Sequence, residues 1–93
     1  MTIQSFKCRD TAALMRDDRN RRFANIAAVA LRKLDYLNAA ATLMDLRVPP
    51  GNRLEALRRD RDGQYSIRIN DQWRICFVWT EAGPADAEIC DYH

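Results

Sequence analysis

The pattern of apolar and polar residues changes once along the chain, at the Pro-Pro-Gly sequence of residues 49–51. Upstream, apolar side chains recur at helical spacing over residues 23–40, which predicts a long amphipathic helix. Proline lacks an amide hydrogen and disfavours helix in the residue before it, so the helical half is expected to end here. Downstream, apolar and polar residues alternate, which predicts strands. The alternating segments are residues 53–58, 64–69, 73–79 and 86–93.

Weaker signals complete the order of elements. Residues 3–6 alternate as a short strand, and Asp10 or Thr11 is suited to cap a helix that begins at Ala12. Residues 42–46 add a helical turn. Polar connections are predicted at residues 16–22, 60–63, 70–72 and 82–84. A strand, a helical hairpin and an antiparallel meander of about four strands make an α+β fold, with the helical hairpin packed on one face of a small sheet.

Strand alternation also sorts the polar residues. If Ile67 and Ile75 face the helices, then Arg68 and Arg74 emerge on the opposite face, on adjacent strands joined by a short turn. We call this side of the sheet the arginine face. Its neighbouring guanidinium groups need an anion to share, either a phosphate or a carboxylate of the chain itself. The candidate carboxylates belong to Glu55, Glu88 and Asp91. The helical stripe leaves Lys33 on the polar side of its helix.

Length and composition limit the class of protein. The chain has 93 residues, 47% hydrophobic and 30% charged, which suits one folded domain over residues 1–93. No apolar run approaches the roughly 20 residues that span a bilayer, and the first residues lack a signal-peptide pattern, so a cytoplasmic location is expected. Three cysteines without a close pair argue against a disulfide framework. Cys90 and His93 lack a second pair of ligands, so no metal or cofactor is expected.

Charge is distributed unevenly along the sequence. Residues 1–74 hold all fifteen Lys and Arg with nine Asp and Glu, whereas residues 75–93 hold four acidic residues and no base. Thirteen of the fifteen bases are arginine, whose planar fork matches the geometry of a phosphate. This composition favours a polyanionic ligand. A solvated surface of salt bridges is the alternative.

The chain ends in Asp91, Tyr92 and His93, which are a carboxylate, a phenol and the only imidazole of the sequence. Free imidazole titrates near about pH 6.5, so His93 is suited to proton transfer at neutral pH. Because this tail follows a strand, we expect it to lie at one end of the arginine face. The alternatives are a solvated terminus, a tyrosine packed on the sheet edge, and an ion pair between Asp91 and Arg74.

Four stretches give the chain a resemblance to a known family. They are Gly-Asn-Arg-Leu at residues 51–54, Asp-Arg-Asp-Gly-Gln-Tyr-Ser-Ile-Arg-Ile-Asn at 60–70, Gln-Trp-Arg-Ile at 72–75 and Asp-Tyr-His at 91–93. In order and spacing they are similar to HigB-type (HigB/GraT-like) toxins of the RelE/ParE toxin–antitoxin superfamily. The resemblance implies the RelE/ParE toxin fold. It also implies a ribosome-dependent mRNA endonuclease that inhibits translation by metal-free attack of a 2′-hydroxyl on the adjacent phosphate.

The resemblance further implies partners and site residues. The partners are a HigA-like helix-turn-helix antitoxin, the 70S ribosome with its mRNA, and operator DNA only through the antitoxin complex, with no membrane. The implied catalytic residues are Arg58, Arg74, Asp91, Tyr92 and His93, and the implied substrate-binding residues are Arg53, Glu55 and Arg68.

The chain departs from the family pattern at residues 55–58. Related toxins commonly carry His-Pro-Leu-Lys where this chain has Glu-Ala-Leu-Arg. Arg58 keeps the positive charge of the lysine, whereas Glu55 replaces an imidazole with a carboxylate. Any imidazole chemistry must therefore come from His93.

A second class of function stays open. A ParE-like gyrase poison needs no terminal Asp-Tyr-His, and neither does a degraded toxin that acts mainly as antitoxin partner in operon autoregulation. The terminal sequence therefore favours the endonuclease, whereas Glu55 in place of the family histidine favours the non-nucleolytic alternative.

Overall fold

Residues 2–15, 23–58 and 61–91, which the computed structural model describes, form an antiparallel sheet of four strands with two helices on one face. The helices are α1 (Arg9–Met15) and α2 (Ala27–Ala39). The strands are β1 (Glu55–Ala56), β2 (Tyr65–Arg68), β3 (Trp73–Thr80) and β4 (Gly83–Asp91), and they lie side by side in chain order. The α+β fold predicted from the sequence is confirmed.

The core lies between α2 and the inner face of the sheet. From α2, Leu34 and Leu37 are fully buried against Ile67 and Ile75 of the central strands. Each such side chain contributes about 1.5–3 kcal/mol when it leaves water. The helical stripe and the strand alternation thus identified the same core from two sides. The aromatic residues next to it are also packed, since the ring of Trp73 meets the ring of Phe23 edge-on at a centroid distance of 5.7 Å.

The N-terminal segment differs from its prediction. Residues 3–6 form one parallel bridge to β4, between Phe6 and Ala87, rather than a regular strand. Helix α1 begins at Arg9, three residues after Phe6. Thr11 therefore lies inside α1 and does not cap it. Its buried hydroxyl accepts a hydrogen bond from the backbone N–H of Ile89 at 3.0 Å, which attaches α1 to β4.

The segment between α2 and β1 is built from two short 3₁₀ helices, Leu43–Arg47 and Pro50–Asn52. The helical turn predicted at residues 42–46 is confirmed in position, and its conformation is 3₁₀. A capping box between Thr42 and Asp45 starts the first of them. The backbone N–H groups of Thr42 and Ala41 donate to the Asp45 carboxylate and lower its pKa.

Two further predictions fall partly or wholly beyond the described ranges. The charged connection at residues 16–22 lies outside them. Of the turn at residues 60–63, the described part includes Gly63, whose φ of 88° lies in the left-handed region that favours glycine. Within the described ranges, no helix combines the length and the apolar character needed to cross a bilayer.

Candidate functional site

The strand register defines the arginine face residue by residue. Arg68 of β2 lies directly opposite Arg74 of β3, so the prediction that these two arginines are neighbours is confirmed. Cross-strand partners share one face of an antiparallel sheet. Further along the same face, Ser66 pairs with Cys76 and Cys76 with Glu88. Glu55 of the edge strand β1 lies opposite Ser66 and completes this row.

Arg74 is the most tightly held member of the arginine face. Its side chain is only 10% exposed. Its Nε donates to Ser66 Oγ at 2.7 Å, and its Nη2 donates to the backbone carbonyl of Arg53 at 2.7 Å. The same Nη2 lies 3.9 Å from Glu55 Oε2. The guanidinium is thus fixed in position by the fold, with a half-exposed carboxylate beside it.

The carbonyl that receives Arg74 belongs to a residue with unusual backbone geometry. Arg53 has φ 46° and ψ 56°, in the left-handed region, directly after the second 3₁₀ helix. Such a conformation is costly for a residue with a side chain and persists where its surroundings enforce it. Here the backbone N–H of Arg53 donates to Pro50 O at 3.1 Å while its carbonyl accepts from Arg74. The Arg53 side chain is exposed at the edge of the site.

A buried polar pair behind this loop was missed by the sequence analysis. Lys33 of α2 is buried, contrary to its expected place on the polar side, and its Nζ donates to Asn52 Oδ1 at 2.7 Å. Asn52 is fully buried, and its Nδ2 donates to Leu46 O at 3.2 Å and Val48 O at 3.3 Å. Burial and the nearby arginines lower the pKa of Lys33. The one feature of the sequence that could have pointed to this pair is that Asn52 belongs to the Gly-Asn-Arg-Leu stretch of the family resemblance.

Two other arginines of this side, Arg68 and Arg61, also contact carboxylates. Arg68 forms an ion pair with Asp71, a fully exposed residue of the β2–β3 turn. Arg61 donates to Glu88 Oε1 at 2.8 Å and to Gln64 Oε1 at 3.3 Å. Burial alone would raise the pKa of Glu88, but the hydrogen bond and charge of Arg61 outweigh it and lower that pKa.

Asp91 occupies a different face from the one expected. The register pairs it with Trp73, whose ring packs on the helix side, whereas Cys90 pairs with Arg74. Asp91 therefore lies at the inner side of the sheet's end, where its Oδ2 accepts a hydrogen bond from Gln72 Nε2 at 3.1 Å. The expectation that it shares the face of Arg74 was wrong, because strand alternation carries Cys90 to that face instead.

Arg58 follows β1, and its side chain is exposed. Its carbonyl accepts from the N–H of Arg61 at 3.3 Å. Leu57, which lies between β1 and Arg58, is buried with the thiols of Cys76 and Cys90, and the three form a small second core on the arginine side. Tyr92 and His93 lie outside the described residues, so their predicted place beside the arginines stays a prediction.

The two thiols of this second core influence each other. The hydrogen bond with Cys90 and the charge of Arg61 lower the pKa of Cys76 against the effect of its burial. The same hydrogen bond and burial raise the pKa of Cys90. Among the described residues, no group of three or more His, Cys, Asp or Glu side chains is arranged to hold a metal ion.

Comparison with known proteins identifies the family. A family model described as "RelE-like toxin of type II toxin-antitoxin system HigB" matches residues 5–93. The chain belongs to this HigB toxin family. Toxin HigB-1 of Vibrio cholerae is 43% identical to it over 67 residues, which cover 70% of each chain. An uncharacterised protein of Haemophilus influenzae is 41% identical over 56 residues, which cover 60% of this chain and 55% of the relative.

The family assignment confirms the resemblance seen in the sequence. A toxin of a type II toxin–antitoxin system implies a cognate antitoxin as partner. In this HigB-family toxin, the structure brings three of the predicted site residues together: Arg53, Glu55 and Arg74. It places Arg68 directly beside Arg74, and Asp91 on the other face.

Proposed function

We propose that this toxin is a ribosome-dependent mRNA endonuclease of the cytoplasm, which cuts the message by attack of a 2′-hydroxyl on the adjacent phosphate without a metal ion. The observation that carries the proposal is the fixed guanidinium of Arg74. Two hydrogen bonds of 2.7 Å orient it before any substrate arrives. Donors held in advance stabilise developing charge more effectively than donors that must reorganise, and a phosphorane is rich in developing charge.

Cleavage of RNA needs removal of the 2′-hydroxyl proton, neutralisation of the phosphorane and protonation of the leaving oxygen. We assign neutralisation to Arg74 and Arg58. We assign binding of the RNA phosphates on either side of the cleaved bond to Arg53 and Arg68. These assignments need no imidazole at position 55.

Proton transfer is assigned to the end of the chain and to Glu55. His93 is the proposed acid and, with Asp91 as the other candidate, the proposed base, because imidazole changes charge near neutral pH. Tyr92 is assigned to stacking on a base or hydrogen bonding to the phosphate. The Glu55 carboxylate, 3.9 Å from Arg74, is the alternative base. Asp91 has the weakest support of the set, since the strand register directs it to the inner face.

The proposed partners of the toxin are those that the family implies, beginning with its antitoxin. We propose that it is a HigA-like protein with a helix-turn-helix domain. Contact with operator DNA is then made only by the toxin–antitoxin complex. The ribosome with its bound mRNA is the proposed target.

The deciding experiment is primer extension on an mRNA incubated with the toxin in a reconstituted translation system. Cuts inside codons are expected only when ribosomes are present. His93→Ala is expected to abolish both the cuts and growth inhibition while antitoxin binding is kept. For Arg74 the variant is Arg74→Lys rather than the alanine variant, because Arg74 also holds Ser66 and the Arg53 carbonyl in place. Growth arrest without cuts, together with a DNA-damage response, would replace the proposal with gyrase poisoning.

A further inference from the structure

Three arginines on the arginine side of the described chain each have a carboxylate as an ion-pair partner. The pairs are Arg61 with Glu88, Arg68 with Asp71, and Arg74 with Glu55. The composition of the sequence favoured a polyanionic ligand, with a surface of salt bridges as the alternative. In the structure, each of these three guanidinium groups has a carboxylate of the chain itself within ion-pair distance.

The three ion pairs differ in the exposure of the carboxylate. Arg61 and Glu88 meet at 2.8 Å, and the Glu88 side chain is only 18% exposed. The carboxylates of Asp71 and Glu55 are 99% and 48% exposed, and Glu55 lies as far as 3.9 Å from Arg74. An ion pair whose carboxylate is exposed to water gains little, which applies fully to Asp71 and less completely to Glu55, whose partner Arg74 is only 10% exposed. The first pair is therefore part of the fold, whereas the other two are open to replacement.

The two replaceable pairs lie side by side. Arg68 and Arg74 are direct cross-strand partners, so the two residues are neighbours on one face of the sheet. A carboxylate and a phosphate oxygen offer arginine the same kind of acceptor. A single strand of RNA that crossed β2 and β3 would present its phosphates to both arginines and would compete with both carboxylates.

We propose that Asp71 and Glu55 are built-in competitors of RNA, which occupy Arg68 and Arg74 until backbone phosphates displace them. This inference rests on the proposed function, and it adds a way in which RNA binding at that site is regulated. Free single-stranded RNA is then bound weakly, because each phosphate must displace a carboxylate. A target that also contacts the toxin elsewhere, as a ribosome does, supplies the additional binding free energy that completes the exchange.

If the carboxylates compete with RNA, removing them should change both the affinity for RNA and the dependence of that affinity on salt concentration. Removing one exposed carboxylate is expected to tighten RNA binding about threefold, within the range typical of exposed ion pairs. The dependence on salt should steepen as well. A phosphate neutralised on single-stranded nucleic acid contributes about 0.7 to the slope of log affinity against log salt concentration. Displacing an internal carboxylate leaves a new charge for salt ions to screen, so the intact protein should have the shallower slope.

The test measures binding of a fluorescent single-stranded oligonucleotide with 2′-O-methyl groups at every position, which cannot be cleaved by 2′-hydroxyl attack. Fluorescence anisotropy is followed between about 50 and 200 mM salt. The variants are Asp71→Asn, Glu55→Gln and their combination. Glu81→Gln is the matched control, because Glu81 is an exposed acid in the β3–β4 turn and its replacement changes the net charge equally.

The combined variant is expected to bind about tenfold more tightly than the wild type, with a slope steeper by up to about 1.4 if both sites contribute fully. Glu81→Gln should change the affinity less than twofold. A gain in Glu81→Gln as large as that in Asp71→Asn or Glu55→Gln, each of which removes one charge as well, would mean general electrostatics and would overturn the inference, as would no detectable binding by the combined variant. Primer extension on ribosomes tests the proposed function separately, so the two can fail independently.

Discussion

The guanidinium of Arg74 donates a 2.7 Å hydrogen bond to the backbone carbonyl of Arg53, which joins the centre of the sheet to the loop before β1. Arg53 lies in the left-handed region, so its carbonyl points where a regular strand would not direct it. Arg74 therefore has two roles that mutation must separate. It satisfies buried acceptors of the fold, and it presents positive charge beside Glu55.

Arg74→Lys is expected to lower the free energy of unfolding by about 1–3 kcal/mol and to abolish mRNA cleavage. An ammonium group cannot reproduce the arginine fork that reaches Ser66 Oγ and Arg53 O together. Urea denaturation measures the first effect and primer extension the second. Arg68→Lys is the control, since its ion pair with Asp71 is exposed and its loss should change stability by less than about 0.5 kcal/mol. Equal stability of the two variants would contradict this structural role of Arg74.

Lys33 and Asn52 are expected to be energetically coupled. Lys33→Met leaves Asn52 Oδ1 without its 2.7 Å donor in a buried place, which costs about 1–3 kcal/mol. Asn52→Leu leaves the Leu46 and Val48 carbonyls without their side-chain donor. The double variant should be more stable than the sum of the two losses predicts, by about 0.5–3 kcal/mol. Chemical denaturation of the four proteins of the cycle measures the coupling, and additive losses would show that the pair acts independently.

The sequence predicted the parts of this fold that repeat with a regular period. The stripe of α2 located Leu34 and Leu37, and strand alternation located Ile67 and Ile75 and set Arg68 beside Arg74. Such patterns are local, because burial of one face recurs with the geometry of the element itself.

The unpredicted parts depend on contacts between distant segments. Lys33 reads as a polar helix residue until the loop that carries Asn52 folds over it, 19 positions along the chain. Thr11 reads as a helix cap until the N–H of Ile89, 78 positions away, reaches its hydroxyl. Asp91 was misplaced for a different reason. It lies two residues after the buried Ile89, so alternation along β4 already directs it to the inner face, and the expectation did not apply that pattern to the end of the strand.

Thr11→Val is expected to destabilise the toxin by about 1–3 kcal/mol, although valine has nearly the same shape. The loss arises because the buried N–H of Ile89 donates to the Thr11 hydroxyl at 3.0 Å, and valine offers no acceptor. Thermal or urea unfolding gives the measurement. Thr2→Val, at an exposed position, should stay within about 0.5 kcal/mol of the wild type. A fully stable Thr11→Val protein would mean that Ile89 finds another partner.

Glu88→Gln is expected to destabilise the toxin at neutral pH by about 1 kcal/mol and to lose this effect in acid. Arg61 lowers the pKa of Glu88 below its ordinary value of 4.5, so the unfolded chain takes up the proton at a higher pH than the folded one. The stabilisation is therefore complete above pH 4.5 and is lost as the pH falls through the folded-state pKa. Unfolding free energies of both proteins across this range measure it, with Glu81→Gln as the exposed control. A difference that is constant with pH would exclude the ion pair as its source.

The three thiols are expected to react with a disulfide reagent in two separate phases. Cys8 is only partly buried, whereas Cys76 is fully buried and Cys90 nearly so. Arg61 and Cys90 lower the pKa of Cys76, which favours the reactive thiolate. Access nevertheless limits the rate, because Leu57 packs over both thiols and must move first. One fast equivalent and two slow ones are therefore expected in the native protein, and three fast ones in denaturant. Cys8→Ser should remove the fast phase alone. A fast phase that persists in Cys8→Ser would show that the edge strand β1 opens readily and exposes the polarised thiol.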